Sequence, residues 1–281
     1  MATADDLISL FKHATGNTLQ TDIEVTADLD FSSSNLTLPL GAFSNGTCVS
    51  FSGVIQGNGH SIKGLKMNNT GKSLYDDAGL FCRLKNATVE NLVIDSSCSF
   101  TGNWTGALSV SLDGSLTVKH TTNNAAVSGE WLLGGFVGYV QIMEQGAVVS
   151  FEDCVNHGNV NGKEYVGGFV GIICDNEDMT MTISNVINNG IVAGGWYVGG
   201  FVGYMKNNTN MVMTISNTIN NGNVTGSNDY VGGFVGSVQS NTDMAMTISN
   251  SINNGNVTGS DNYVGGFVGS ISGNTNMSIA I

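Results

Sequence analysis

Asp175, Glu177 and Asp178 crowd into the segment after Ile172-Ile173-Cys174. Carboxylates at that density suit a calcium ion, but the spacing lacks an EF-hand pattern, and a solvated loop is the simpler reading. Glu152 and Asp153 lie close to His157 and could move a proton with it, although placement in a turn explains them as well. Hydrolysis of a glycosidic bond needs two carboxylates about 5–10 Å apart on one face. The histidines (His13, His60, His120, His157) are scattered, and no Gly-x-Ser-x-Gly, His-Glu-x-x-His or P-loop occurs. The expectation is therefore no catalytic site, no bound metal and no cofactor.

The elements that would position these groups are repeats. Gly-Gly-Phe-Val-Gly returns at 134–138, 167–171, 199–203, 232–236 and 265–269, and Met-Thr-Ile-Ser-Asn returns at 181–185, 213–217 and 246–250. A period of 32 or 33 residues means one supersecondary unit stacked on copies of itself. Each unit offers three strand-like pieces: Tyr-Val-Gly-Gly-Phe-Val-Gly, Met-x-Met-Thr-Ile-Ser-Asn, and Asn-Val-Thr-Gly or its variants. Three strands per coil with coils in register make a parallel β-helix, an all-β fold in which function lies on long faces. At about 4.8 Å per coil, seven to eight coils give a rod of roughly 35–40 Å.

Upstream the pattern is looser. Ile23, Val25, Ala27, Leu29 and Phe31 alternate with Asp22, Glu24, Thr26, Asp28 and Asp30, the signature of a strand with one wet face. Thr3 and Asp6 form a capping-box variant ahead of Leu7, Leu10, Phe11 and Ala14, which predicts a short helix ended by Gly16 that covers the first coil. One domain results: a helical cap over 1–20, degenerate coils over 21–130 and regular repeats over 131–281.

The columns of the stack can be named. Phe136, Phe169, Phe201, Phe234 and Phe267 form a core stack; Ile183, Ile215, Ile248 and Ile279 form another, with Met181, Met213, Met246 and Met277 beside it. Asn156, Asn188, Asn220 and Asn253 form an asparagine column at a turn, suited to amide bonds from coil to coil. Tyr165, Tyr197, Tyr230 and Tyr263, each four residues before a phenylalanine, are a candidate aromatic strip for sugar or protein. Strict alternation from the phenylalanines would instead bury them. Thr182, Thr214 and Thr247, with Ser184, Ser216 and Ser249, should face outward over about three coils.

Composition narrows the partners. The 281 residues carry nine Lys+Arg against 22 Asp+Glu, a formal charge of −13, and Arg83 is the only arginine, which leaves no footprint for nucleic acid. No apolar run is long enough to span a bilayer, and the first residues do not read as a signal peptide. Five cysteines, with no CxxC spacing, leave at least one thiol unpaired; whether Cys82 and Cys98, or Cys154 and Cys174, bridge is open. Nine glycosylation sequons begin at Asn35, Asn45, Asn68, Asn86, Asn103, Asn207, Asn223, Asn256 and Asn276.

The Gly-Gly-Phe-Val-Gly repeats resemble the GLUG motif of large bacterial and protist surface proteins. Phe51-Ser-Gly-Val-Ile-Gln-Gly-Asn-Gly-His60-Ser-Ile resembles the coil that precedes such repeats, except that Gln56 stands where Asp is expected. The resemblance covers most of the chain from about Asp22. It implies a right-handed β-helix and a cell-surface or secreted setting, and it implies no reaction. The expected function is a non-enzymatic, adhesin-like or structural protein that binds glycans or surface proteins, or associates with itself. The alternatives are a carbohydrate-active enzyme on the same scaffold and, third, an ice-binding solenoid. The chain stops at Met277-Ser-Ile-Ala-Ile281, read as aligned with Met-Thr-Ile-Ser-Asn in mid-coil. The expectation is that the chain continues, or that this open coil docks on another copy.

Overall fold

The structure, a computed structural model, describes residues 1–14, 16–71, 76–142, 144–260 and 262–281. It is a parallel β-solenoid whose coils build three sheets of 16, 8 and 11 strands. Pairing between named strands is parallel and follows the repeat: Met181 lies beside Met213 and then Met246, and Ile183 beside Ile215 and then Ile248. In the regular coils two of the sheets are cut by corners, so one coil carries five short pieces, such as Val166–Gly167, Val170–Cys174, Thr180–Ser184, Ile187–Asn188 and Val192–Gly194. Earlier, the uncut strands Phe81–Glu90 and Ala126–Gly134 each bridge two columns.

The alternating segment 22–31 is likewise shared between sheets, as Ile23–Glu24 and Leu29–Asp30, while its buried side chains Ile23, Val25, Leu29 and Phe31 keep to the inside. The phenylalanine column is internal: ring centroids step 4.8, 5.4, 4.9 and 5.0 Å from Phe136 to Phe267, and all but Phe267 are fully buried.

The last coil departs from the expected alignment. Ile279 pairs with Met246 and Ala280 with Thr247, so Met277 continues from Met244 rather than from Met246. The shift is two residues, and it leaves the inward set inward because strand side chains alternate with period two. The constant 33-residue step from Met244 and Met246 to Met277 and Ile279 fixes this register.

The helix spans Ala4–Lys12. Asp6 N–H donates to Thr3 Oγ1 at 3.2 Å and Thr3 N–H to Asp6 Oδ2 at 3.1 Å, a complete capping box. Its end comes before Gly16, at His13, whose backbone bonds back into the last turn. Leu7, Ile8 and Phe11 are buried, and Phe11 packs on Phe51 and Phe81 at 6.2 and 5.7 Å, closing the core at this end.

Candidate binding surface

The acidic groups singled out by sequence do not converge. Glu152 pairs with Lys119 at 3.1 Å and Asp153 with His120 at 3.6 Å, both one coil back, while His157 faces the Asn189 amide at 3.3 Å. Asp175 accepts from Asn207 and Asp178 from Asn210 on the following coil, and Glu177 is bridged to Thr209 through the backbone. Among the described residues no three His, Cys, Asp or Glu side chains are grouped to hold a metal ion. The carboxylates of Glu152, Asp153, Asp175 and Asp178 are thus each bonded to a neighbouring coil along the axis.

Cysteine chemistry is equally spent. Cys48 and Cys82 form a disulfide, a pairing the sequence spacing did not single out. Cys98, Cys154 and Cys174 are buried thiols, not joined to one another or to Cys82, and burial pushes them up to about 11, 12 and 12, away from the reactive thiolate.

Amide ladders run inside the walls. Nδ2 of Asn123, Asn156, Asn188 and Asn220 each donates to Oδ1 of the next member, ending at Asn253, over 2.8–2.9 Å. Asn176, Asn208, Asn241 and Asn274 form a second ladder of the same kind over 2.8–2.9 Å. The second column recurs every 32 or 33 residues and was visible to the same reasoning that found the first.

The hydroxyl face is longer than expected. Thr88, Thr117, Ser150, Thr182, Thr214 and Thr247 stand side by side over six coils. The neighbouring row begins with Glu90, Lys119 and Glu152 before it reaches the three serines.

The tyrosine column does not enter the core. Tyr165, Tyr197, Tyr230 and Tyr263 all have positive φ (45°, 54°, 70° and 64°), which breaks the alternation that would have aimed them with the phenylalanines. Tyr165 and Tyr197 instead pack in a separate outer cluster with Leu132, Ile172, Cys174 and Tyr204. Along the column the rings lie 5.2, 4.7 and 5.0 Å apart with interplanar angles of 17°, 4° and 8°, so each covers its neighbour's face. Partial burial raises the Tyr165 hydroxyl to about 12, keeping it a neutral donor.

Beside the tyrosines stand residues that sequence reasoning passed over. All three tryptophans of the chain, Trp104, Trp131 and Trp196, are exposed, at 42, 45 and 38%. Trp104 and Trp131 border a cavity of about 420 Å³ with Asp76, Asp77 and Asn103, and Trp196 lines a groove of about 590 Å³ with Lys163 and Glu164. Burial, then the Asp76 charge, pushes Asp77 up to about 7. The signal was faint because tryptophan holds no fixed place in the repeat.

Comparison with known proteins agrees with this architecture. Residues 8–131 match a family described as "Putative pectate lyase-like adhesive domain", a match that ends where the regular repeats begin. Over 97 residues, 34% of the chain, it is 35% identical to Halomucin of Haloquadratum walsbyi, and it spans about 1% of that protein's length. A solved structure from Bacteroides ovatus, described as a "putative immunoglobulin A1 protease", superposes with a TM-score of 0.53 at 14% identity, covering 98% of this chain and 83% of its own. That likeness is one of fold.

Proposed function

We propose that this chain is a non-enzymatic, adhesin-like β-helix of the cell surface or of a secreted protein, working through its long faces on glycans or surface proteins. The observation that carries the reading is the coil-to-coil bonding of the outward polar groups, from Lys119–Glu152 to Asn210–Asp178, which spends acids and amides on the stack itself. The adhesive family match over residues 8–131 and the mucin-named relative support it. So do the Cys48–Cys82 disulfide, a bond of oxidising compartments, and eight sequon asparagines that are exposed; the ninth, Asn103, is partly buried and tied to Asp76. We read the Gly-Gly-Phe-Val-Gly coils as GLUG-type packing units. Glu90, Lys119 and Glu152 interrupt the hydroxyl lattice an ice-binding face would need.

Association belongs to the same proposal. Phe267 and Met277 in the last coil are only partly buried, and Gly266 faces open space where its counterparts Gly200 and Gly233 meet the next coil's backbone. A second copy docking there would cover that edge, and so would a further coil of a longer chain. Light scattering across a concentration series should show mass growing with concentration, and a constant monomer mass would remove self-association from the proposal.

The decisive experiment is retention of the purified chain on intact cells, paired with assays of polysaccharide turnover. Saturable retention without turnover is the expected result. Turnover that disappears on substituting Glu152, Asp175 or Glu177 would overturn the non-enzymatic reading.

A further inference from the structure

The strand register places the three tryptophans and several carboxylates on one edge of the solenoid. Trp104 pairs with Leu132, and the residues that precede Leu133, Val166, Val198, Val231 and Val264 continue that column as Leu132 and the four tyrosines. One residue earlier in each coil runs a second column, in which Trp131 is followed by Glu164, Trp196 and Asp229. Asn103 N–H donates to the Asp76 carbonyl and Ala78 N–H to the Trp104 carbonyl, which sets Asp76 and Asp77 one coil before Asn103 and Trp104.

We infer that this edge is a binding site for a neutral glycan chain lying along the solenoid axis, with Trp131 and Trp196 as its two stacking platforms. The inference rests on the adhesive reading and assigns it a place and a ligand class. Tryptophan offers a broad apolar face with a polar N–H, and a large aromatic left in water beside convergent polar groups is the composition of a ligand site. Tyr165, Tyr197 and Tyr230 cannot serve in the same way, because each is stacked on the next ring, and only Tyr263 at the end of the column is left largely exposed. Trp131 and Trp196 have no ring stacked on them among the described residues, and they lie two coils apart, about 10 Å, close to the length of a disaccharide in an extended chain.

The polar groups select the charge of the ligand. Glu164 between the platforms, Asp229 beyond them and Asp77 before Trp104 supply carboxyl groups that accept hydrogen bonds from sugar hydroxyls. The Asn103 amide is held by Asp76. Among the described residues that line this edge the one cation, Lys163, is paired with Glu130 at 2.7 Å. A polymer of uronic acids or sulfated sugars would meet this row of carboxylates and be repelled.

The test is a tryptophan-fluorescence titration of the whole chain with neutral oligosaccharides of increasing length, alongside uronic-acid oligosaccharides of matched length. Because every tryptophan lies on this edge, binding should shift the emission. Neutral hexasaccharides should bind and disaccharides should bind weakly. W131A and W196A should each weaken binding about tenfold with an unchanged Tm, as loss of an aromatic anchor does. An emission that no neutral glycan alters, a preference for uronic acids, a response to basic peptides alone, or an affinity in both variants equal to that of the parent would overturn the inference. Cell retention measured on the same variants separates the two levels: retention that survives in W131A/W196A leaves the adhesive reading standing and places its contact elsewhere.

Discussion

Asn188 Nδ2 donates to Asn220 Oδ1 at 2.8 Å, with both side chains fully buried. Asn220 passes the bond on to Asn253 at 2.8 Å and also donates to the Gly222 carbonyl at 2.9 Å, so every amide on the ladder both gives and receives. Polar groups taken out of water are tolerated only when satisfied, and here the ladder also sets the register of one coil upon the next.

Truncating one rung should therefore cost more than its own bonds. Asn188→Ala strands the Asn156 donor and the Asn220 acceptor in the wall, both fully buried, and we expect a loss of about 2–4 kcal/mol, since each stranded buried group costs about 1–3 kcal/mol. Asn221→Ala, on the exposed ladder where Asn221 donates to Asn189 at 2.8 Å, should be near neutral. Denaturant titration of both variants checks the contrast, and equal costs would show that burial is not what gives the inner ladder its weight.

Phe201→Ala removes a fully buried ring lying 5.4 Å from Phe169 and 4.9 Å from Phe234. Large aromatic truncations in a core cost about 3–5 kcal/mol, and the flanking rings cannot close the gap because each is fixed by its own coil. The expected readout is a lower Tm, with amide exchange quickening first in the coils on either side.

Asp77 should make stability depend on pH. Its carboxyl is raised from 3.8 to about 7, so between these values the folded chain holds a proton that the unfolded chain has released. The contribution is complete below about pH 4 and is lost as pH rises through about 7. The charged group that faces it is Asp76, which favours the neutral form. Asp77→Asn should flatten this part of the profile and raise Tm relative to the parent at pH 8 more than at pH 5. A parent and variant whose difference does not change with pH would show that Asp77 titrates normally.

What could be read in the sequence was what repeats. The columns of Phe169, Ile183 and Asn188 were legible because one substitution pattern recurs every coil, and Thr3 and Asp6 because a capping box is local. The side taken by Tyr165 and Tyr197 was not, because positive φ at the tyrosine reverses the alternation on which such arguments rest. Cys48 and Cys82 lie in the degenerate coils, where no period aligns them, and the last-coil register turned on choosing between Met244 and Met246 as the partner of Met277. Trp131 and Trp196 escaped notice for a related reason: Glu164 stands between them in the column, so the sequence shows no tryptophan repeat.

The paired glycines make the sharpest test of the stack. A Cβ on Gly200 would lie 2.1 Å from the Gly233 carbonyl oxygen, and one on Gly233 would lie 2.1 Å from that of Gly266, because each coil's corner rests on the backbone of the next. Backbone cannot move aside as a side chain can, so a methyl group there must push two coils apart. Gly266 holds the same place in the last coil and has nothing within 4 Å of its Cβ position. We therefore expect Gly200→Ala to open the middle of the solenoid, with a large fall in Tm and a rise in dye binding to exposed core, while Gly266→Ala melts within about 0.5 kcal/mol of the parent, as surface substitutions do. If both variants behaved alike, the glycines would be answering to the conformation of the corner itself and not to the coil stacked upon it.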